Sequence, residues 1–363
     1  WQLGANSDQI TWVLTSYIVS SAIIMPLTGF FVSRLGRKRY MLIMVLGFLV
    51  ASMCCGLSQN LTEIVMFRVL QGIFGASLVP MSQYTLQDTF PKEQMGTAMA
   101  IWGIGVMLAP AFGPTLGGYI TNHLNWRWVF YINVPVCIIA IVMIARFISE
   151  TPIKKSAHND WIGMALMAVG VASLQIFLDR GNTNGWFQSQ TIQVLFITCI
   201  ICLMTFVIRG LKKKDNIINL QLFKNRNFSI ATGLLTIFTM SIIALLSVQP
   251  LMMEHLMGYT AQLSGLVMMP RGIAAGLGMM IVAKTINRID GRWIVTIGIA
   301  LAAYGTYLMA HLSQTASFSL IGWEGAIQGL GMGLFFVPVS GFSLSEFQDN
   351  SAAEAAGLFS FGR

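Results

Sequence analysis

This sequence predicts an all-α integral membrane protein, built as two pseudo-symmetric helix bundles with two extra helices between them. Three observations carry that prediction. The chain is 55% hydrophobic and only 10% charged over 363 residues, with a mean hydropathy of +0.69, more apolar surface than a soluble core can hide. Its apolar residues run in eleven continuous segments, most of them near the length of about 20 residues that a helix needs to cross about 30 Å of hydrocarbon. Residues late in the chain also echo earlier ones at a nearly constant offset. Transmembrane strands are excluded, because the runs are continuous and do not alternate.

The segments cover about 11–33, 40–58, 62–82, 95–120, 129–147, 161–179, 191–209, 228–253, 262–287, 293–311 and 319–345. Residues 1–10 form a polar lead-in, with Asp8 placed to cap the first helix. Alternate loops carry Arg34, Arg37, Lys38 and Arg39, then Lys92, then Arg146, Lys154 and Lys155, then the basic run from Arg209 to Arg226, then Lys284, Arg288 and Arg292. The opposite loops hold only Arg127 and Arg180. By the positive-inside rule the first set is cytoplasmic. The net charge of +8 therefore reflects topology, and no nucleic-acid partner is expected.

Cys54, Cys55, Cys137, Cys199 and Cys202 all lie in apolar helices without disulfide or metal spacing, and read as small packing residues. His123, His158, His255 and His311 are scattered, with no metal or triad spacing. A phosphate loop of the form GxxxxGK[ST] is absent, so ATP hydrolysis is not expected. Neither a cofactor, a metal nor an enzymatic activity follows from these residues.

Placing Gln71-Gly72 on Gln328-Gly329 gives an offset of 257, which also sets Phe90 on Phe347, Ala98 on Ala355 and Gly105 on Gly362. At 254, Arg34 meets Arg288. An offset of eight helices keeps the repeats parallel and places the helices at 161–179 and 191–209 between the halves. The expected division is 1–147, 148–227 and 228–363. The same repeat implies one helix before Trp1 and at least two that follow or complete after Arg363; eleven seen and three more give fourteen, and make this chain a fragment.

Four stretches carry candidate function. Gly103 to Gly118 reads GIGVMLAPAFGPTLGG, where Gly105, Ala109, Gly113 and Gly117 recur every fourth residue as a stripe predicting a close helix crossing, with Pro110, Pro114 and Gly118 in the same run. Gly29 to Tyr40, GFFVSRLGRKRY, is a short basic turn between two spans that suits anionic headgroups. Arg68 lies about two turns inside the membrane, in the string RVLQG with Gln71 and Gly72. A cation there faces a cavity with a partner, or snorkels to the interface. Trp126 to Pro135, WRWVFYINVP, suits an interfacial aromatic belt.

Together these strings resemble the fourteen-helix drug:proton antiporters of the major facilitator superfamily. The glycine and proline run is similar to the antiporter signature of the fifth helix. The basic turn is similar to the superfamily's cytoplasmic loop through Gly29, Arg34, Gly36, Arg37 and Lys38, with Ser33 where the family has Asp, which puts in doubt any charge relay through that carboxylate. RxxQG resembles the fourth-helix signature, and WRWVFYINVP is the most family-specific string. The resemblance implies export of hydrophobic or amphipathic toxic compounds in exchange for protons, by alternating access, across a bacterial inner membrane. It implies conformational control by the basic turn and proton coupling through Arg68. A periplasmic adaptor and an outer-membrane channel are the partners it suggests, besides substrate, protons and lipid.

A proton-driven exchanger needs a carboxylate whose pKa is raised by burial. Glu63, Asp179 and Glu254 lie near helix ends, whereas Glu324 lies a turn inside and is the candidate chosen. Family acidic residues of the first helix fall outside this chain. Tyr17, Gln249, Met268, Met269 and Arg271 are cavity candidates, as polar or soft groups on helices that line the family's cavity. An exporter of one endogenous metabolite is the alternative, and a membrane enzyme or receptor is a more distant one.

Overall fold

The computed structural model describes residues 7–151, 160–212, 219–286, 288–313, 315–344, 347 and 349–362. In chain order the helices are α1 Ser7–Ile24, α2 Thr28–Leu35, α3 Arg37–Leu57, α4 Leu61–Gly75, α5 Leu78–Thr89, α6 Lys92–His123, α7 Trp128–Tyr131, α8 Asn133–Phe147, α9 Trp161–Arg180, α10 Gln190–Lys212, α11 Arg226–His255, α12 Ala261–Thr285, α13 Gly291–Ala310, α14 Phe318–Leu344 and α15 Asp349–Gly362. No strand occurs among the described residues. Ten stretches of them are long and apolar enough to cross a membrane, counting α1 with α2, α4 with α5 and α7 with α8 as one each. α6 runs 32 residues through the remaining expected segment.

In hydrocarbon every backbone group must bond internally, which is why apolar runs become helices and polar residues collect at their starts. Asn60, Asp160, Thr260 and Asp290 each accept a backbone N–H of the following helix. At Asn60 the cap is reciprocal: Glu63 N donates to Asn60 Oδ1 at 2.9 Å and Asn60 Nδ2 donates to Glu63 Oε1 at 2.7 Å. Glu63 is thus a capping carboxylate. Asp160 also receives Arg209 Nη2 at 2.7 Å, stapling α9 to α10.

By contacts the chain divides into two compact units. The first holds Trp1–Tyr84, Arg127–Asn225 and Gln348–Phe361, and the second Thr85–Trp126, Arg226–Phe347 and Gly362–Arg363.

Within the second unit, α14 is the central helix, with 78% of its most apolar window buried. Glycines let the backbones of α12 and α13 lie directly on it. A Cβ at Gly329 would strike the carbonyl of Arg271, and one at Gly333 the carbonyl of Ala275. Facing them, a Cβ at Gly278 would lie 2.7 Å from Leu330 O, and one at Gly305 2.7 Å from Gln328 N. Gly325, Gly329 and Gly333 recur every fourth residue, so the close-crossing stripe is here.

This corrects the crossing expected on α6. That helix does pack on α12, through Gly103, whose Cβ would lie 2.7 Å from Met279 Sδ, and Gly96, 2.8 Å from Ile286. At Gly105, Gly113 and Gly117 an added Cβ meets nothing within 4 Å. Gly105 lies two residues from Gly103, about 200° round the helix, so the contact face and the expected stripe point apart. Gly118 is half-buried. The helix runs through Pro110 and Pro114, whose side chains lie outside the described residues.

A substitution pair tests this assignment. Gly329→Ala should destabilise the protein by about 1–3 kcal/mol, since backbone cannot swing aside as a side chain can. Gly113→Leu should leave the thermal unfolding midpoint within a degree or two of the parent.

Candidate functional site

In the first unit a polar cluster forms where α1, α3, α4 and α8 meet. Arg68 on α4 donates from Nε to Val13 O at 2.9 Å and from Nη1 to Gln71 Oε1 at 2.7 Å. Its guanidinium carbon lies 4.5 Å from the centroid of the Tyr17 ring, a cation–π contact that offsets part of its desolvation. Gln71 passes the chain on, donating from Nε2 to Ser52 Oγ at 3.1 Å. Ser52 also accepts from Asn133 Nδ2 at 2.9 Å and donates to Phe130 O at 3.0 Å. The sequence set Arg68 and Gln71 in one motif and named Tyr17 only as a cavity candidate; Ser52 and Asn133 it missed. Asn133 stands inside the WRWVFYINVP string, and its amide is the polar signal that an aromatic-belt reading overlooks.

The basic turn has its own carboxylate. Gly36 adopts φ +81°, a left-handed conformation that lets α2 end and α3 begin. Glu150 then accepts from Lys38 N at 3.1 Å and Arg39 N at 3.2 Å, capping α3, where an anion also meets the positive end of the helix dipole. Arg37 is buried and donates from Nη2 to Ser149 Oγ at 3.2 Å, and Arg34 lies 4.6 Å from the Phe30 ring centroid. Among the described residues Ser33 bonds only its own helix, donating to Phe30 O at 2.8 Å. Gly29 is required by α15, since a Cβ there would collide with the backbone of Glu354.

In the second unit, Arg271 of α12 is only 4% exposed. Its Nη2 donates to Gln249 Oε1 of α11 and, at 3.4 Å, to Met309 Sδ of α13. Gln328 of α14 donates to Thr306 Oγ1 at 2.9 Å. Glu324, 6% exposed, has a buried Oε2 without a partner, and it forms no ion pair with Arg271 among the described residues. Met268 packs with Met253, Val267 and Ile321 in an apolar cluster, and Met269 is half-buried. The structure therefore joins Gln249 to Arg271 and Tyr17 to Arg68, and sets Met268 in the core. An open groove of about 350 Å³ on α9 and α10, lined by Trp161, Leu166 and Cys202 among others, contains none of the candidate residues.

Residues 2–363 match the family model described as Major Facilitator Superfamily. The chain belongs to that superfamily. Among curated members it is 35% identical over 363 residues to the fatty acid resistance protein FarB of Neisseria gonorrhoeae, covering 99% of this chain and 71% of that one. It is 33% identical, with the same coverage, to the multidrug export protein EmrB of Escherichia coli. Two solved structures share the fold: the human organic anion transporter MFSD10, with a TM-score of 0.68 at 16% identity over 97% of this chain and 74% of that one, and the proton:xylose symporter XylE, with 0.63 at 14% over 99% and 78%. The superfamily's all-helical, multi-pass membrane architecture is thus that of this chain.

The two glutamines should differ in what they hold. Gln71→Leu should cost about 1.5–3 kcal/mol in thermal or detergent unfolding, because it removes the acceptor of a half-buried cation. Gln328→Leu should cost about 1 kcal/mol, since Gln328 bonds only a neutral hydroxyl and Arg271 leans on Gln249.

Proposed function

We propose that this chain is the transport core of a proton-driven exporter, exchanging protons for hydrophobic or amphipathic toxic compounds by alternating access. The observation that carries the reading is Arg68, a charge within a membrane span bonded to Gln71 and Val13 rather than turned to an interface. The name of its relative EmrB, a multidrug export protein, supports the export direction.

In this reading Arg68 and Glu324 couple protons, and the turn of Gly29, Arg34, Gly36, Arg37 and Lys38 controls the change of state. Gly105, Pro110, Gly113, Pro114, Gly117 and Gly118 form the antiporter motif, and Tyr17, Gln249, Met268, Met269 and Arg271 contribute to the substrate cavity wall. Residues 1–147 and 228–363 are the two bundles, with 148–227 inserted between them. The location is a bacterial inner membrane, and a periplasmic adaptor and outer-membrane channel are the partners. The name of the gonococcal relative, a fatty acid resistance protein, favours a second reading, in which one class of amphiphile is the substrate.

The full-length protein in liposomes, under an imposed pH gradient, tests the first reading by following a hydrophobic cationic dye and internal pH together. Linked opposite fluxes are expected, with competition from chemically diverse compounds; dye movement indifferent to the gradient would exclude antiport. Arg68→Ala should cut gradient-driven flux at least tenfold while insertion and expression are retained.

A further inference from the structure

The halves carry the same arginine in exchanged positions. A Cβ at Gly72 on α4 would lie 2.5 Å from the carbonyl of Tyr17 on α1, and one at Gly329 on α14 would strike the carbonyl of Arg271 on α12. This backbone contact aligns Gly72 with Gly329 and Tyr17 with Arg271. Gln71 then falls on Gln328, and Arg68 on Gly325. In the first unit the arginine comes from α4 and lies over an aromatic ring of α1. In the second it comes from the α1 counterpart and crosses the glycine that stands in the place of Arg68, where a Gly325 Cβ would lie 3.6 Å from Arg271 Cβ and 3.9 Å from its Nε.

The exchange changes what the guanidinium has left to offer. Arg68 bonds protein acceptors through both Nε and Nη1. Among the described residues Arg271 bonds only through Nη2, and its buried Nε and Nη1 have no partner. Apolar clusters flank it: Val267 and Met268 one turn before, and Ala275, packed with Ile242 and Met332, one turn after. Arg271 stands ten residues into α12, about 15 Å from its start, too deep for a lipid headgroup to reach. A cation held in such surroundings with unused donors is strongly unfavourable until an anion meets it.

We propose that Arg271 is the anion receptor of the second unit, taking the carboxylate of an amphipathic ligand on the donors that the protein leaves unused. The ligand's hydrocarbon part lies against the flanking methionine and aliphatic clusters. This deepens the transport reading and rests on it for the ligand's passage to mid-membrane depth. A carboxylate fits the donor set because each charge-assisted bond gains in strength away from water.

The test is equilibrium binding, which needs no transport. Octanoate, octanol and octylammonium are titrated by calorimetry into the full-length protein in nanodiscs. Octanoate should bind at least tenfold more tightly than octanol, and Arg271→Gln should abolish that preference while octanol and octylammonium stay within twofold. Should Arg271→Gln fail to fold, Arg271→Lys replaces it: losing the Nε donor and the planar head, it should weaken octanoate about threefold to tenfold. Octanoate bound no better than octanol, or equally well by parent and variant, overturns the proposal. An octanoate preference that persists in a protein showing no proton-linked flux would overturn the antiport reading and leave the receptor standing.

Discussion

One backbone contact governs the polar interior of each unit. Where Gly72 meets the carbonyl of Tyr17, and Gly329 that of Arg271, two helices lie closer than any side chain would permit. Small residues drive such crossings in hydrocarbon, because helices there gain little from hiding apolar surface and much from close packing and short polar contacts. Once the crossing is fixed, the neighbouring positions have no freedom. Gln71 and Gln328, one residue earlier, turn to the interior and bond Ser52 and Thr306. The positions four residues before the glycines, Arg68 and Gly325, stand opposite whatever the crossed helix presents.

The helices were legible because hydrophobic length is a direct requirement of the bilayer, and the pairing of Arg68 with Gln71 because three residues on a helix share a face. The face used by α6 was not legible. A stripe of small residues at Gly105, Gly113 and Gly117 says where a partner could approach, and nothing in the sequence of one helix says which of its faces has a partner. Gly325, Gly329 and Gly333 show the same spacing, and at Gly329 and Gly333 a backbone occupies the stripe. Glu150 was missed for a different reason. It lies over a hundred residues from the turn it caps, and its carboxylate meets Lys38 N and Arg39 N only through tertiary structure.

That carboxylate bears on the basic turn, where Ser33 replaces the acidic residue of the wider family. Ser33 is occupied with the carbonyl of Phe30 and brings no charge. The turn is anchored instead from the end of α8, by Ser149 on Arg37 and Glu150 on the first amides of α3. Its geometry thus depends on the end of a neighbouring span as well as on its own Gly36.

The exchange of arginine between the units follows from volume and charge together. A guanidinium lies at this crossing in both units, supplied by α4 in the first and by α12 in the second. With Arg on α4, the facing position is an aromatic ring whose π face attracts the cation. With Arg on α12, the facing position must be small, and Gly325 leaves the chain room to pass. The scaffold is preserved, yet the electrostatic outcome differs, because the arginine from α4 reaches the Val13 carbonyl and Gln71, while the arginine from α12 reaches Gln249 and Met309 alone. A duplicated fold has in this way kept one internally satisfied cation and one with donors to spare.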